Sequence, residues 1–283
     1  SNMEIIISTI IENINEKIKN LKNNPNIIAI KRKELQSVLN DPNNGILSIK
    51  GVSREQLRIS LIKLIYIYIR NPILFFKSFN NIILSGLSGS GKNSIIKVLI
   101  FIFNTLGILL SSNLIIASKN NLNDIDNINN LIENALEGII YIDEIYNITG
   151  CKKEIDLTTD QIIRELIGFM DKFIGCLIII ISGNKEKLNE CFFKINDGLI
   201  IRFPKQIDLL PYTSIDIYNI FYDYISAIIN YNEEMTIENR KYIKEMIFSL
   251  NNKEVFTNQS LDMLNLRILL LNNALFYLLN NLQ

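Results

Sequence analysis

One stretch constrains this chain more than any other. Asn81-Ile82-Ile83-Leu84-Ser85 is a short apolar run that leads directly into Gly86-Leu87-Ser88-Gly89-Ser90-Gly91-Lys92-Asn93, and Ser94 then opens a long helical pattern. A strand feeding a helix through G-x-x-x-x-G-K leaves the backbone few options. Gly86, Gly89 and Gly91 tolerate positive φ, so the loop can curl until successive amide N–H groups point inward. The helix N-terminus adds partial positive charge and Lys92 a full one, which suits the β- and γ-phosphates of a nucleotide. The positions expected to hold that nucleotide are Gly86, Leu87, Ser88, Gly89, Ser90, Gly91, Lys92, Asn93 and Ser94. A hydroxyl residue normally follows the lysine and ligates Mg²⁺; Asn93 stands there instead, offering a bulkier, uncharged amide oxygen. Ser94 is one residue further on, about 100° around the helix, and is a poor substitute.

The pattern continues around this loop. Leu114–Ala117, Gly138–Ile142 and Cys176–Ile181 are further short apolar runs separated by helix-length segments, and Ile200–Phe203 with Ile207–Leu209 are expected to add a short edge. Continuous apolar strands alternating with helices predict an α/β fold, with a parallel five-stranded sheet covered on both faces. Upstream, residues 4–40 are expected to be helical, interrupted by Asn23-Asn24-Pro25-Asn26, with the second helix over Ile27–Leu39. Ser53, with Gln56 three residues on, predicts a capped apolar helix to Tyr68 that Asn71-Pro72 closes. The helix after the glycine loop is expected to reach about Leu109. After Pro211 only helical patterns return, over 214–230, 236–250 and 260–281. The expected organisation is a helical N-terminal extension (1–45), an αβα nucleotide-binding core (46–212) and a small all-helical C-terminal lid (213–283).

A second chemical signal lies 51 residues beyond Lys92, where Ile139-Ile140-Tyr141-Ile142-Asp143-Glu144 is an apolar strand ending in two acids. Alternation gives adjacent side chains different directions, so the carboxylates can divide the work. Asp143, together with Asn93, is the expected metal ligand. Glu144 is expected to orient and deprotonate an attacking water.

Composition narrows the chemistry further. The chain has 283 residues and no His, which excludes His-based nucleophile triads and imidazole metal sites. Cys151, Cys176 and Cys191 form no CxxC and are odd in number, a pattern that predicts a reducing compartment without a disulfide framework or zinc site. Basic and acidic residues balance at 29 each and only 8 are Arg, so nothing in the charge favours nucleic acid. Ser1-Asn2 ahead of Met3 reads as a cloning remnant, and no leader pattern is legible. The apolar region Ile95–Leu110 carries Lys97 and Asn104 and falls short of the roughly 20 residues that span a bilayer. A soluble, cytoplasmic protein without a membrane segment is expected.

These residues resemble the AAA+ ATPases, and within them the CbxX/CfqX type that includes red-type Rubisco activases and stage V sporulation protein K. The glycine loop carries the likeness first. Gly138-Ile-Ile-Tyr-Ile-Asp-Glu-Ile-Tyr146 is similar to that group's G-V-L-F-I-D-E-A-Y. Leu177-Ile-Ile-Ile-Ile-Ser-Gly183-Asn184 ends where the group has its first sensor, and Asn196-Asp-Gly-Leu-Ile-Ile-Arg-Phe-Pro204 looks like N-P-G-L-R-S-R-F-P. The resemblance implies ATP or ADP with Mg²⁺ and a P-loop NTPase core. It further implies Asn184 as first sensor and Arg202 as an arginine finger acting in trans, within a homo-oligomeric ring such as a hexamer. It also places Ile49–Val52 beside the nucleobase. There are departures. The family's first arginine in R-S-R-F is Ile200 here, no aromatic-glycine pore loop occurs in Asn123–Asn134, and the lid's second-sensor arginine is replaced within Asn258-Gln259-Ser260-Leu261. The expectation is therefore a slow ATPase that remodels or regulates an unidentified protein partner. The alternative is a nucleotide-dependent switch or interaction module without useful turnover.

Overall fold

The structure is a computed structural model and describes residues 27–117, 125–149 and 157–213, with isolated positions such as Leu122 and Asp216 besides. The expected helices before Asn23 and beyond 213, the second-sensor position at 258–261 and Cys151 lie wholly or largely outside the described residues.

Helix α1 (Ile27–Asn40) is followed by 3₁₀ turns at Ile46–Ser48 and Val52–Arg54, helix α2 (Glu55–Arg70) and a short α3 (Pro72–Phe76). The buried face of α2 is Leu57, Leu61, Leu64, Ile65 and Tyr68, a helical stripe. The capping box expected at Ser53 does not form. Its hydroxyl is buried without a partner, and the chain enters α2 through the 3₁₀ turn instead. Asn71 both ends α2 and starts α3, its side chain accepting from the Leu74 N–H at 3.1 Å.

The sheet contains β1 (Ile82–Gly86), β2 (Leu114–Ala117), β3 (Ile139–Ile142), β4 (Ile178–Gly183) and β5 (Lys205–Leu209), in the order β2-β3-β4-β1-β5. The β2–β3, β3–β4 and β1–β4 pairs are parallel, with Ile142 opposite Ile181 and Ser85 opposite Gly183. β5 runs the same way. Lys205 at its start reaches the Phe79 carbonyl and Asn80 side chain just before β1, and Asp208 near its end accepts from Ser85 near the end of β1. Burial pushes the Asp208 carboxyl up, but donors from Lys185, Ser85 and Gln206 outweigh it and hold the group below its ordinary value.

Crossovers are α4 (Lys92–Thr105), α5 (Ile125–Ala135), α6 (Tyr146–Thr149) with α7 (Leu157–Lys172), and α8 (Lys185–Lys187) continuing through a π turn (Leu188–Phe192) to α9 (Gly198–Arg202). β3 and β4 are buried along their whole length, as strands covered on both faces must be. One core joins Ile140, Ile142, Ile179 and Ile181 to Phe192, Leu199 and Phe203. Residues 125–135, in the stretch that lacks an aromatic-glycine pore-loop pattern, are helix.

Three further expectations are corrected. Ile200–Phe203 is not strand, because Gly198–Arg202 forms a helical turn that buries Leu199 and leaves Ile200 and Ile201 outside. The helix after the glycine loop stops at Thr105, where the chain turns at Gly107 with φ +65°. Cys191 is disulfide-bonded while Cys176 is buried outside any disulfide, so an odd cysteine count did not exclude a pairing.

The chain divides into two units. One comprises Ser1–Ile49, Leu57–Gly86 and Lys92–Asp208; the other comprises Lys50–Gln56, Leu87–Gly91 and Leu209–Gln283.

Candidate functional site

The glycine loop joins the end of β1 to the start of α4. Its turn is closed by the Ser90 N–H donating to the Leu87 carbonyl at 3.2 Å, with Gly89 at φ +72° and Gly91 at φ +85°. Both angles lie in the left-handed region that side chains resist. At Gly91 an added Cβ would also come within 3.1 Å of the Tyr212 hydroxyl. Lys92, though on the first turn of α4, is only 8% exposed, and its Nζ lies 3.4 Å from the Gly86 carbonyl. The ammonium is therefore folded back over the start of the loop. Asn93 and Ser94 sit exposed on the same turn.

At the end of β3, Asp143 is exposed and accepts a hydrogen bond from the Ser182 hydroxyl of β4. Ser182 Oγ also lies 2.9 Å from the Tyr141 hydroxyl. A serine has a single hydroxyl proton, and Asp143 takes it, so Tyr141 must be the donor to Ser182. Burial pushes the Tyr141 phenol up, which keeps that proton in place. Glu144 follows at φ +47°, and its carboxylate accepts from Asn147 Nδ2 at 2.7 Å. Among the described residues no group of three or more metal-binding side chains exists. A lone exposed carboxylate with one oxygen fixed fits Mg²⁺, which takes one or two carboxylates and completes its shell from phosphate oxygens and water.

At the end of β4, Gly183 is pressed against Tyr146, where an added Cβ would fall 2.4 Å from ring atom Cε1. The Asn184 N–H donates to the Tyr146 hydroxyl at 3.2 Å. Asn184 Oδ1 accepts from the Glu186 and Lys187 N–H groups at 2.9 and 3.2 Å, so this side chain caps α8. Parallel pairing brings Gly86, Asp143, Glu144 and Asn184 to one end of the sheet, the carboxyl end at which open α/β sheets bind ligands.

Arg202 is placed elsewhere. Its Nε and Nη2 donate to Asp171 Oδ1 and Oδ2 at 2.8 and 2.6 Å, and Nη1 donates to the Gly198 carbonyl. The Asp171 bonds push its already high pKa further up. Its backbone carbonyl accepts from Asn81 Nδ2, and Asn81 Oδ1 accepts from the Ile179 N–H. Asn81 precedes β1 and Gly86 ends it. Arg202 is therefore anchored at the opposite end of that strand from the glycine loop, a rise of about 16 Å.

Several residues around these groups escape sequence reasoning. Ser182 left a trace, a polar residue closing an apolar run. Asp171 and Arg54 left none, since one sits in an ordinary amphipathic helix and the other in a turn. Tyr146 belonged to a quoted motif but its contact with Asn184 did not follow from it.

A parallel sheet of this order, with a positive-φ glycine loop and lysine joining β1 to α4, defines a P-loop nucleotide-binding fold. Residues 82–209, a little under half of the chain, match the family described as ATPase family associated with various cellular activities (AAA). Its relatives include the ESX-3 secretion system protein EccA3 of Mycobacterium tuberculosis, 30% identical over 143 residues that cover 48% of this chain and 22% of that protein. A cfxQ-like protein of Acanthamoeba polyphaga mimivirus is 27% identical over 148 residues, 49% of this chain and 36% of that one. The match thus spans only about a fifth to a third of these relatives. A mutant RuvB of Thermotoga maritima aligns with a TM-score of 0.49 at 15% identity, covering 81% of this chain and 73% of that one. The cfxQ-like match agrees with the CbxX/CfqX resemblance read from the sequence. No helix of the described residues is long and apolar enough to cross a membrane.

Proposed function

We propose that the chain binds ATP with Mg²⁺ on the Gly86–Ser94 loop and hydrolyses it slowly to remodel or regulate a partner protein complex. The observation that carries this reading is the loop itself: two glycines held at positive φ and Lys92 folded back towards Gly86. In this reading the loop amides and Lys92 bind the phosphates, with Asn93 at the metal's usual hydroxyl position. Mg²⁺, held by Asp143 beside the phosphates, would neutralise charge on them. Glu144 takes a proton from the attacking water, and Asn184 helps place that water through its Nδ2, since its Oδ1 caps α8. The organisation proposed is a core at 46–212, an extension before it and a lid over 213–283.

Arg202 is proposed to serve the nucleotide of a neighbouring copy in a ring. Its place at the far end of β1 supports this, as do its exposed neighbours Ile200 and Ile201 at 57% and 70%. The EccA3 relatives are secretion system proteins, which supports a client in a protein assembly. ATP supply supports a cytoplasmic site. A second reading, a nucleotide switch without useful turnover, is favoured by Asn93 and by the helix at 125–135 where a pore loop would be.

Steady-state ATPase measurement beside nucleotide-binding calorimetry, each with Mg²⁺ and with EDTA, separates the two. Lys92→Ala should abolish binding. Unchanged ATP affinity in that variant would refute the loop assignment.

A further inference from the structure

The most deeply buried cation among the described residues is Arg54, 1% exposed. Its Nη2 donates to the Ser90 carbonyl at 2.7 Å, its Nη1 donates to the Leu210 carbonyl, and its Cζ sits 4.0 Å above the Tyr212 ring centroid. No carboxylate pairs with it among the described residues. The adjacent acid, Asp216, instead accepts from the Ser53 and Thr213 N–H groups. Arg54 Nε, Ser90 Oγ and Ser53 Oγ are all buried without hydrogen-bond partners. All of these residues lie within one unit of the chain. A permanently charged guanidinium is costly to bury without a counter-charge, and orphaned polar atoms add to that cost. The Asp216 carboxylate is engaged by backbone N–H groups while the guanidinium bonds two carbonyls, and one of those carbonyls, that of Ser90, belongs to the glycine loop.

We propose that Arg54 is a positioning residue of the glycine loop: a buried clamp that sets the Ser90–Gly91 turn for a polyphosphate and supplies a positive charge additional to Lys92. The inference rests on the nucleotide reading of that loop. The guanidinium fork holds two carbonyls at fixed directions, Ser90 in the loop and Leu210 after β5. Tyr212 supports the clamp from below while its hydroxyl borders Gly91. Lysine has the charge but not the fork, so it can hold one carbonyl and leaves the other without a donor.

The test is calorimetry of ATP, ADP and adenosine with the full chain, together with melting curves with and without ATP. Arg54→Met should weaken ATP and ADP by about tenfold and leave adenosine unchanged, and Arg54→Lys should fall between. A merely structural role would lower the melting temperature of the free protein but leave the ATP-to-adenosine affinity ratio at its wild-type value. If Arg54→Met does not fold, Tyr212→Leu carries the same comparison, because it unseats the guanidinium without removing it. Wild-type affinity ratios in Arg54→Lys and Tyr212→Leu would overturn the clamp alone. Failure of the unaltered protein to bind ATP at all would overturn the clamp and the nucleotide reading together.

Discussion

Arg202 and Asp171 face each other as fork to fork, with Nε to Oδ1 at 2.8 Å and Nη2 to Oδ2 at 2.6 Å. The side chains are 20% and 46% exposed, so solvent screens the pair, and it contributes about 1 kcal/mol. A guanidinium that reaches into a neighbour's site must first leave this carboxylate. Asp171→Asn keeps the shape and removes the charge. It should therefore raise ATPase turnover about two- to fivefold at concentrations where copies associate, whereas Arg202→Ala should lower it. Rates measured against protein concentration decide this. Identical curves for all three proteins would remove Arg202 from any role in trans.

Glu144 occupies the left-handed region at φ +47°, which costs a non-glycine residue about 1 kcal/mol. Such strain persists only where the surrounding structure over-determines it. Glu144→Gly relieves it, losing the hydrogen bond to Asn147, and should melt at or slightly above the wild-type temperature while hydrolysis falls at least about a hundredfold. Glu144→Gln should bind ATP normally and turn over as slowly. A Glu144→Gln protein with full turnover would show that the water is activated by another group.

The cap that Asn184 makes and the water-placing role proposed for it can be parted by substitution. Its Oδ1 caps α8, and removing a cap costs about 1 kcal/mol. Asn184→Ala should therefore lose stability and turnover together. Asn184→Asp retains an acceptor for the Glu186 and Lys187 N–H groups but loses the amide donor. Its denaturant midpoint should stay near wild type while its ATPase rate drops about tenfold or more. Equal losses of both properties in the two variants would mean that the cap is the whole function of Asn184.

The sheet was legible because a strand buried on both faces is written as an uninterrupted apolar run. β2 was read to the residue, and β1, β3 and β4 to within two. Ile200–Phe203 misled because its apolar run is a helical turn, with Leu199 inward and the two isoleucines outward; over four residues neither period can be told from composition. The places of the glycine loop after β1 and of the acids at 143–144 after β3 were legible because each is set by local spacing. The hydroxyl chain Tyr141–Ser182–Asp143, the Asp171 grip and the Arg54 clamp were not, since each joins residues at least 31 positions apart and depends on packing.

Lys205 gives a pH signature that involves no nucleotide. Its ammonium bonds the Phe79 carbonyl and the Asn80 side chain and lies 5.0 Å from the Phe75 ring centroid. Burial pulls its pKa down from 10.5 to about 8. The folded value is thus below the unfolded one, and burying the charge costs stability at every pH below about 8. Between roughly pH 8 and 10.5 the unfolded chain still holds the proton and the folded chain does not, so stability rises with pH through that window. Discounted for partial exposure, the gain is of order 2 kcal/mol. Lys205→Met abolishes this term, although it leaves the Phe79 carbonyl and Asn80 Oδ1 without their donor. Urea midpoints at pH 7.5, 9 and 10 for both proteins isolate it from the tyrosines that titrate nearby. The wild-type curve should rise relative to that of Lys205→Met, and parallel curves would mean that Lys205 is solvated like any surface lysine.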